Sequence, residues 1–152
     1  MLNQPCPAVS LPMTSGQTFD PQQLKGHAFV LYFYPKDNTP GCTTEGNDFR
    51  LNEAEFAAAG VKIFGVSRDS VKSHENFKTK QCFPFELISD PDEVLCEAFG
   101  VMKLKNMYGK QVRGIERSTF VIDKEGLIIK EWRGVKVPGH VEQVLSFVQT
   151  LK

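Results

Sequence analysis

The chain carries no excess charge of either sign: 18 Lys and Arg are matched by 18 Asp and Glu over 152 residues. That balance gives no support for binding nucleic acid or an anionic membrane surface, which select for a basic excess. No apolar run approaches the roughly 20 residues needed to cross a bilayer. The segment MLNQPCP at the N-terminus has neither a basic stretch nor an apolar one. No secretory leader is therefore expected, and the expected compartment is the cytoplasm. No two cysteines are spaced Cys-x-x-Cys, so the local signatures of a zinc site and of a redox dithiol are both missing. Neither a metal nor a cofactor is expected. Repeats, linkers and low-complexity segments are absent too.

What remains is an ordinary globular composition, 41% hydrophobic and 24% charged. The length suits a single domain over residues 1–152, able to bury about 70% of its unfolded surface. There are four cysteines. In a reducing compartment these point to catalysis, redox sensing or packing before a disulfide framework.

The most apolar run is Ala28–Tyr34, rich in aromatic and β-branched residues and ended by Pro35. It reads as a buried central strand. After a short polar loop, Thr39 suits an N-cap and Pro40 the first helical position. Cys42 then falls in the first turn, where unpaired N–H groups and the positive end of the helix dipole favour thiolate over thiol. A buried structural cysteine is the alternative reading. The helix is predicted to run to about Ala59, before Gly60. Cys42, Phe49 and Phe56 recur at seven-residue spacing and share the face turned to the sheet. Gly46 is unusual inside a helix. Either it lets the first turns unwind or it admits a close neighbour.

Residues 1–26 read as a surface arm with an edge strand or hairpin, holding Cys6 between two prolines. Val61–Ser67 is the next strand, followed by a helix capped by Ser67, Asp69 or Ser70 and ending near Gln81–Cys82. A short strand at Phe85–Ser89 precedes Asp90-Pro91-Asp92-Glu93, which reads as a capping-box start. That helix stops at Gly100 and holds Cys96 among core residues. Residues 101–116 read as a solvated loop carrying Lys103, Lys105, Lys110 and Arg113, with a docking surface for a reductant as the alternative. Ser118–Asp123 and Leu127–Trp132 form a predicted hairpin around Lys124-Glu125-Gly126. An amphipathic helix closes the chain, with Pro138 near its first turn. The order describes an α/β fold with a central mixed sheet flanked by helices. His27, His74 and His140 lie in no recognisable setting for a Cys–His hydrolase and are expected on the surface or at caps.

Pro35-x-x-x-Thr39-x-x-Cys42 resembles the active-site motif of the peroxiredoxins. The fuller string Tyr34–Glu45 is similar to the bacterioferritin comigratory protein branch, or Q-type. Gly114–Asp123 is a second matching stretch, and the similarity spans nearly the whole chain. The resemblance implies a thioredoxin fold with peroxiredoxin-type insertions. It implies a thiol-dependent peroxidase for hydrogen peroxide and organic hydroperoxides, in which Cys42 becomes a sulfenic acid. It further implies that the Thr39 hydroxyl and the N–H groups of Gly41 and Cys42 face the peroxide, and that Pro35 shields the sulfur. Arg117 is the implied cationic partner; a solvent-facing strand-end Arg is the alternative. Glu45 is expected to orient nearby groups.

Q-type members often place a resolving cysteine five residues after the reactive one, here Asn47, or in the following helix, here aligned with Lys78. This chain departs from both patterns. Cys82, one helical turn beyond Lys78, is the candidate resolving cysteine; Cys96 and Cys6 are weaker candidates, and an external thiol is the alternative. Thioredoxin or glutaredoxin is the implied reductant, and a monomer the implied state. A dithiol–disulfide oxidoreductase on the same fold is a second reading of the chain. A peroxide-sensing or chaperone-like redox protein without efficient turnover is a third.

Overall fold

The computed structural model describes residues 1–151, the side chain of Met107 excepted. The apolar run forms β3 (Ala28–Phe33), and its neighbours explain its composition. A five-stranded sheet has the order β5 (Glu86–Ser89), β4 (Val61–Ser67), β3, β8 (Ser118–Ile122), β9 (Ile128–Arg133). The β3–β4 and β4–β5 pairs are parallel, and β3–β8 and β8–β9 are antiparallel. β3 is thus central and covered on both faces, which is why it reads as apolar at every position. Val30, Tyr32 and the following Tyr34 enter one core cluster; Phe29, Leu31 and Phe33 enter the other. This is the strand period of two applied to a layer between helices.

The first cluster packs α1 (Pro40–Leu51), α2 (Glu53–Ala58) and α5 (His140–Val148) against the sheet through Cys42, Phe49, Phe56, Val141 and Val144. The second includes Leu95 and Cys96 of α4 (Val94–Ala98), with Phe19 of β2 (Thr18–Phe19). β2 pairs with β1 (Leu11–Pro12) as the expected N-terminal hairpin. α3 (Val71–Gln81) begins at Ser70, whose hydroxyl accepts from Ser73 N–H, and Cys82 follows it in a left-handed conformation.

Three expectations about local structure are corrected. The predicted single helix to Ala59 breaks at Asn52 (φ −109°, ψ 6°). There the Asn52 amide donates to the Asp48 carbonyl at 2.8 Å, a local bond that competes with the helical ladder. The capping box at Asp90 forms differently. Asp90 accepts from Val94 N–H and Cys96 N–H at 2.8 Å each, but Glu93 adopts a left-handed conformation. Its carboxylate pairs with Arg68 and Arg113 instead. Residues 101–116 are mostly a hairpin, β6 (Met102–Met107) and β7 (Lys110–Ile115). Its tight turn uses Tyr108 and Gly109, both at positive φ. Met102, Lys103, Leu104 and Lys105 do alternate, but the run is short, rich in Lys and largely exposed, so it reads as a loop. The remaining expected strands and helices form close to their expected bounds.

Candidate active site

The site lies where β3 ends. Tyr34 N–H still bonds the Val66 carbonyl at 3.0 Å, and the chain then turns through Pro35–Thr39 into α1. Thr39 is the extended N-cap residue (φ −84°, ψ 154°) and Pro40 the first helical residue, as the sequence predicts. The Thr39 hydroxyl does not cap; it donates backward to the Lys36 carbonyl at 2.8 Å. The first-turn N–H groups near Gly41 and Cys42 are therefore left without that side chain. Cys42 is 2% exposed, with its helix face in the core. Pro35 and Thr39 are half-buried.

Arg117 enters from just before β8, the antiparallel neighbour of β3. Phe33 pairs with Ser118 across β3 and β8, so the residue before Ser118 reaches past the end of β3, toward the start of α1. One guanidinium nitrogen donates to Cys42 Sγ at 3.4 Å and the other to Glu45 Oε1 at 2.7 Å. Gly41 makes room: a Cβ there would lie 3.2 Å from Arg117 Nη2. Burial alone would lower the Arg117 pKa, but Glu45 and then Cys42 outweigh it and hold it above the ordinary value. Glu45 is fully buried, and desolvation pushes its carboxyl up to about 7 against the pull of Arg117. Among the described residues Glu45 Oε2 has no hydrogen-bond partner, an unpaired buried oxygen consistent with that rise. Lys105 on the hairpin has a lowered pKa, from burial first and from the Arg117 charge second.

Cys42 together with Arg117, Glu45 and Gly41 therefore forms one contact set. Cys82 does not join it. It is exposed, and its Sγ lies 3.8 Å from the Thr79 carbonyl. Its neighbours do touch α1: Gln81 accepts from the Asn47 amide at 3.3 Å, and Phe83 lies on Gly46. Cys96 is buried and Cys6 partly so, and all four cysteines are free thiols. Burial raises the Cys6 pKa to about 12 and raises that of Cys96 further still.

Two buried histidines correct the expectation of surface or capping roles. His74 is fully buried against Asp37, and His140 is 4% exposed with Nε2 2.8 Å from Thr119 Oγ1. His74 shares the inner face of α3 with Phe77, three residues on, and that spacing is the sequence signal for its burial.

A family model described as the AhpC/TSA family matches residues 2–131. The chain belongs to the AhpC/TSA family, as a peroxiredoxin of the Bcp (Q-type) group. Peroxiredoxin Bcp of Xanthomonas campestris pv. campestris is 64% identical over 121 residues, 80% of this chain and 76% of that one. Peroxiredoxin Bcp of Bacillus subtilis is 52% identical over 151 residues, 99% and 94% of the two chains. A structure bearing on alkyl peroxide reduction by the Xanthomonas campestris bacterioferritin comigratory protein superposes with a TM-score of 0.89. Its identity is 56%, covering 93% of this chain and 90% of that one. The Xylella fastidiosa PrxQ, in a cysteine-to-serine variant, gives a TM-score of 0.93 at 44% identity, covering 99% and 96%. This peroxiredoxin thus shares its thioredoxin-fold architecture with solved relatives over nearly its full length.

Proposed function

We propose that Cys42 is the peroxide-reactive residue of this thiol-dependent peroxidase. The observation that carries the reading is the 3.4 Å contact from Arg117 to the Cys42 sulfur, with Glu45 holding the other end of the same guanidinium. The thiolate attacks the terminal oxygen of a hydroperoxide. The S–O bond forms as the O–O bond breaks, and the leaving oxygen departs as water or alcohol after taking a proton. The two sulfur electrons reduce the peroxide, and Cys42 becomes a sulfenic acid. Arg117 and the N–H groups of the first turn supply donors for developing negative charge. Thr39 and Pro35 border the approach.

A thiol then condenses with the sulfenic acid, releasing water and leaving a disulfide. Cys82 is the internal candidate. It is exposed, whereas burial disfavours the thiolate at Cys6 and Cys96. Its sulfur must leave the Thr79 carbonyl to reach Cys42. Thioredoxin or glutaredoxin returns the disulfide to thiols, in the cytoplasm. We take the working unit to be a monomer, because the chain covers part of both sheet edges itself. Met13 bridges Ile88 on β5, and residues 3–5 bond along the start of β9.

The deciding experiment is intact mass of the reduced protein after one equivalent of hydrogen peroxide, with peptide mapping. Loss of two hydrogens with a Cys42–Cys82 crosslink is expected. Gain of one oxygen on Cys42 alone assigns resolution to an external thiol. Peroxidase turnover by Cys42→Ser would falsify the assignment of the reactive residue. Supplying thioredoxin or glutaredoxin separately, with NADPH consumption as readout, identifies the reductant.

A further inference from the structure

Asp37 lies between Pro35 and Thr39, in the loop that leads to Cys42, yet it is 5% exposed. One carboxylate oxygen accepts from the Tyr34 hydroxyl at 2.6 Å. The other accepts from the Ser73 hydroxyl at 2.8 Å and lies 2.7 Å from His74 Nδ1. The Asp37 N–H donates to Asp69 at 3.0 Å, and Asp69 accepts in turn from the Ser67 hydroxyl. The loop is thereby tied to the β4–α3 turn and to the first turn of α3. Although Asp37, Asp69 and His74 cluster within 4.8 Å, their ligating atoms are turned on one another and on these hydroxyls.

The bonds fix the proton count. His74 Nε2 lies 2.9 Å from the Ile88 carbonyl, which can only accept, so Nε2 carries hydrogen. Nδ1 and the Asp37 oxygen cannot meet at 2.7 Å as two bare lone pairs, so a second proton lies between them. The Tyr34 hydroxyl, the Ser73 hydroxyl and the shared His74 proton thus converge on the Asp37 carboxyl group. A buried polar pair in a core is often no more stable than apolar residues of similar volume. Asp37 sits in the loop whose shape decides where Pro35 and Thr39 stand, and His74 holds it from α3.

We propose that the Asp37–His74 pair is a positioning element of the peroxidase site, locking the Pro35–Thr39 loop to α3 so that peroxide is held in line with Cys42. The inference rests on Cys42 as the reactive thiol, which the Cys42→Ser test decides separately. Two rates are compared in Asp37→Asn, His74→Gln and the double variant: oxidation of Cys42 by hydrogen peroxide, and its alkylation by iodoacetamide. Alkylation needs the thiolate but not the peroxide cradle. Each single variant is expected to slow peroxide oxidation about tenfold or more, since small misplacements at a reacting centre are costly. Alkylation should change less than about twofold, and the double variant should lose no more than the worse single one, as for residues acting as a unit.

Three outcomes overturn the proposal: peroxide rates near wild type, parallel falls in both reactions, or losses that multiply in the double variant. Should these variants lack cooperative thermal unfolding, Ser73→Ala keeps the Asp37–His74 contact and removes one donor. It is then expected to slow peroxide oxidation about threefold at unchanged alkylation. An unchanged peroxide rate in Ser73→Ala would equally overturn the proposal.

Discussion

Phe33 and Ser118 stand opposite each other in the β3–β8 ladder, and this register carries Arg117 past the strand end to the first turn of α1. From there the guanidinium reaches both Cys42 and Glu45, 75 and 72 residues away in sequence. A slip of one residue would turn the neighbouring side chains to the opposite face of the sheet.

Replacing Arg117 by Lys keeps the charge and removes the fork that spans two acceptors. The second-order rate with hydrogen peroxide should fall about tenfold to a hundredfold, measured by rapid-quench thiol titration. A rate within twofold of wild type would show that charge alone suffices.

Glu45 sets a pH dependence of stability. Its folded pKa, about 7, lies above the ordinary 4.5, because burial penalises the carboxylate. Ionisation is therefore easier in the unfolded chain. The group's contribution is full below pH 4.5, shrinks as pH rises toward 7, and is then lost. Glu45→Gln should flatten this window by about 3 kcal/mol, since each tenfold change in proton affinity is worth roughly 1.4 kcal/mol. Urea unfolding of both proteins from pH 4 to 8 provides the comparison, and identical slopes would refute the assignment.

His140 works in the opposite sense. Burial first, and the Arg117 charge second, lower its pKa from 6.5 to about 4. Its neutral ring packs edge-on against Trp132, with centroids 5.7 Å apart. The stability it contributes is present above pH 6.5 and is lost as pH falls through 4. His140→Asn should lower stability at pH 7 and reduce its loss on acidification. The check is thermal unfolding at pH 7 and pH 4.5.

Gly46 answers a packing demand. A Cβ there would stand 2.4 Å from Phe83 Cζ, inside any tolerable contact. Gly46→Ala should destabilise the protein by about 1–3 kcal/mol through overpacking. This outweighs the roughly 1 kcal/mol that Ala offers a helix interior. Phe83→Leu in the same chain should recover part of the loss in denaturant titration. A stabilised Gly46→Ala would instead mean that the ring moves freely.

Much of the site was legible because its parts are local. A buried strand, a Pro-ended run, an N-cap residue and a first-turn cysteine are all written within Ala28–Cys42, where sequence neighbours are spatial neighbours. The motif resemblance added Arg117, which no local pattern could connect to Cys42. The Lys-rich hairpin was missed because its short Met102–Lys105 alternation buries little, with Leu104 and Val112 both exposed, and many lysines on a surface read as a solvated loop. The Asn52 break was missed because one side-chain bond decided it.

The amino-acid order by itself determined the central strand, the helix start that holds Cys42, and the α/β order of elements. Each follows from periodicity and capping within a few residues. Only the tertiary structure decided that Arg117 bridges Cys42 and Glu45, that His74 closes on Asp37, and that Phe83 requires Gly46. Those pairings depend on strand register and on which faces are desolvated. Burial and register are properties of the assembled sheet and helices, and no local pattern encodes them.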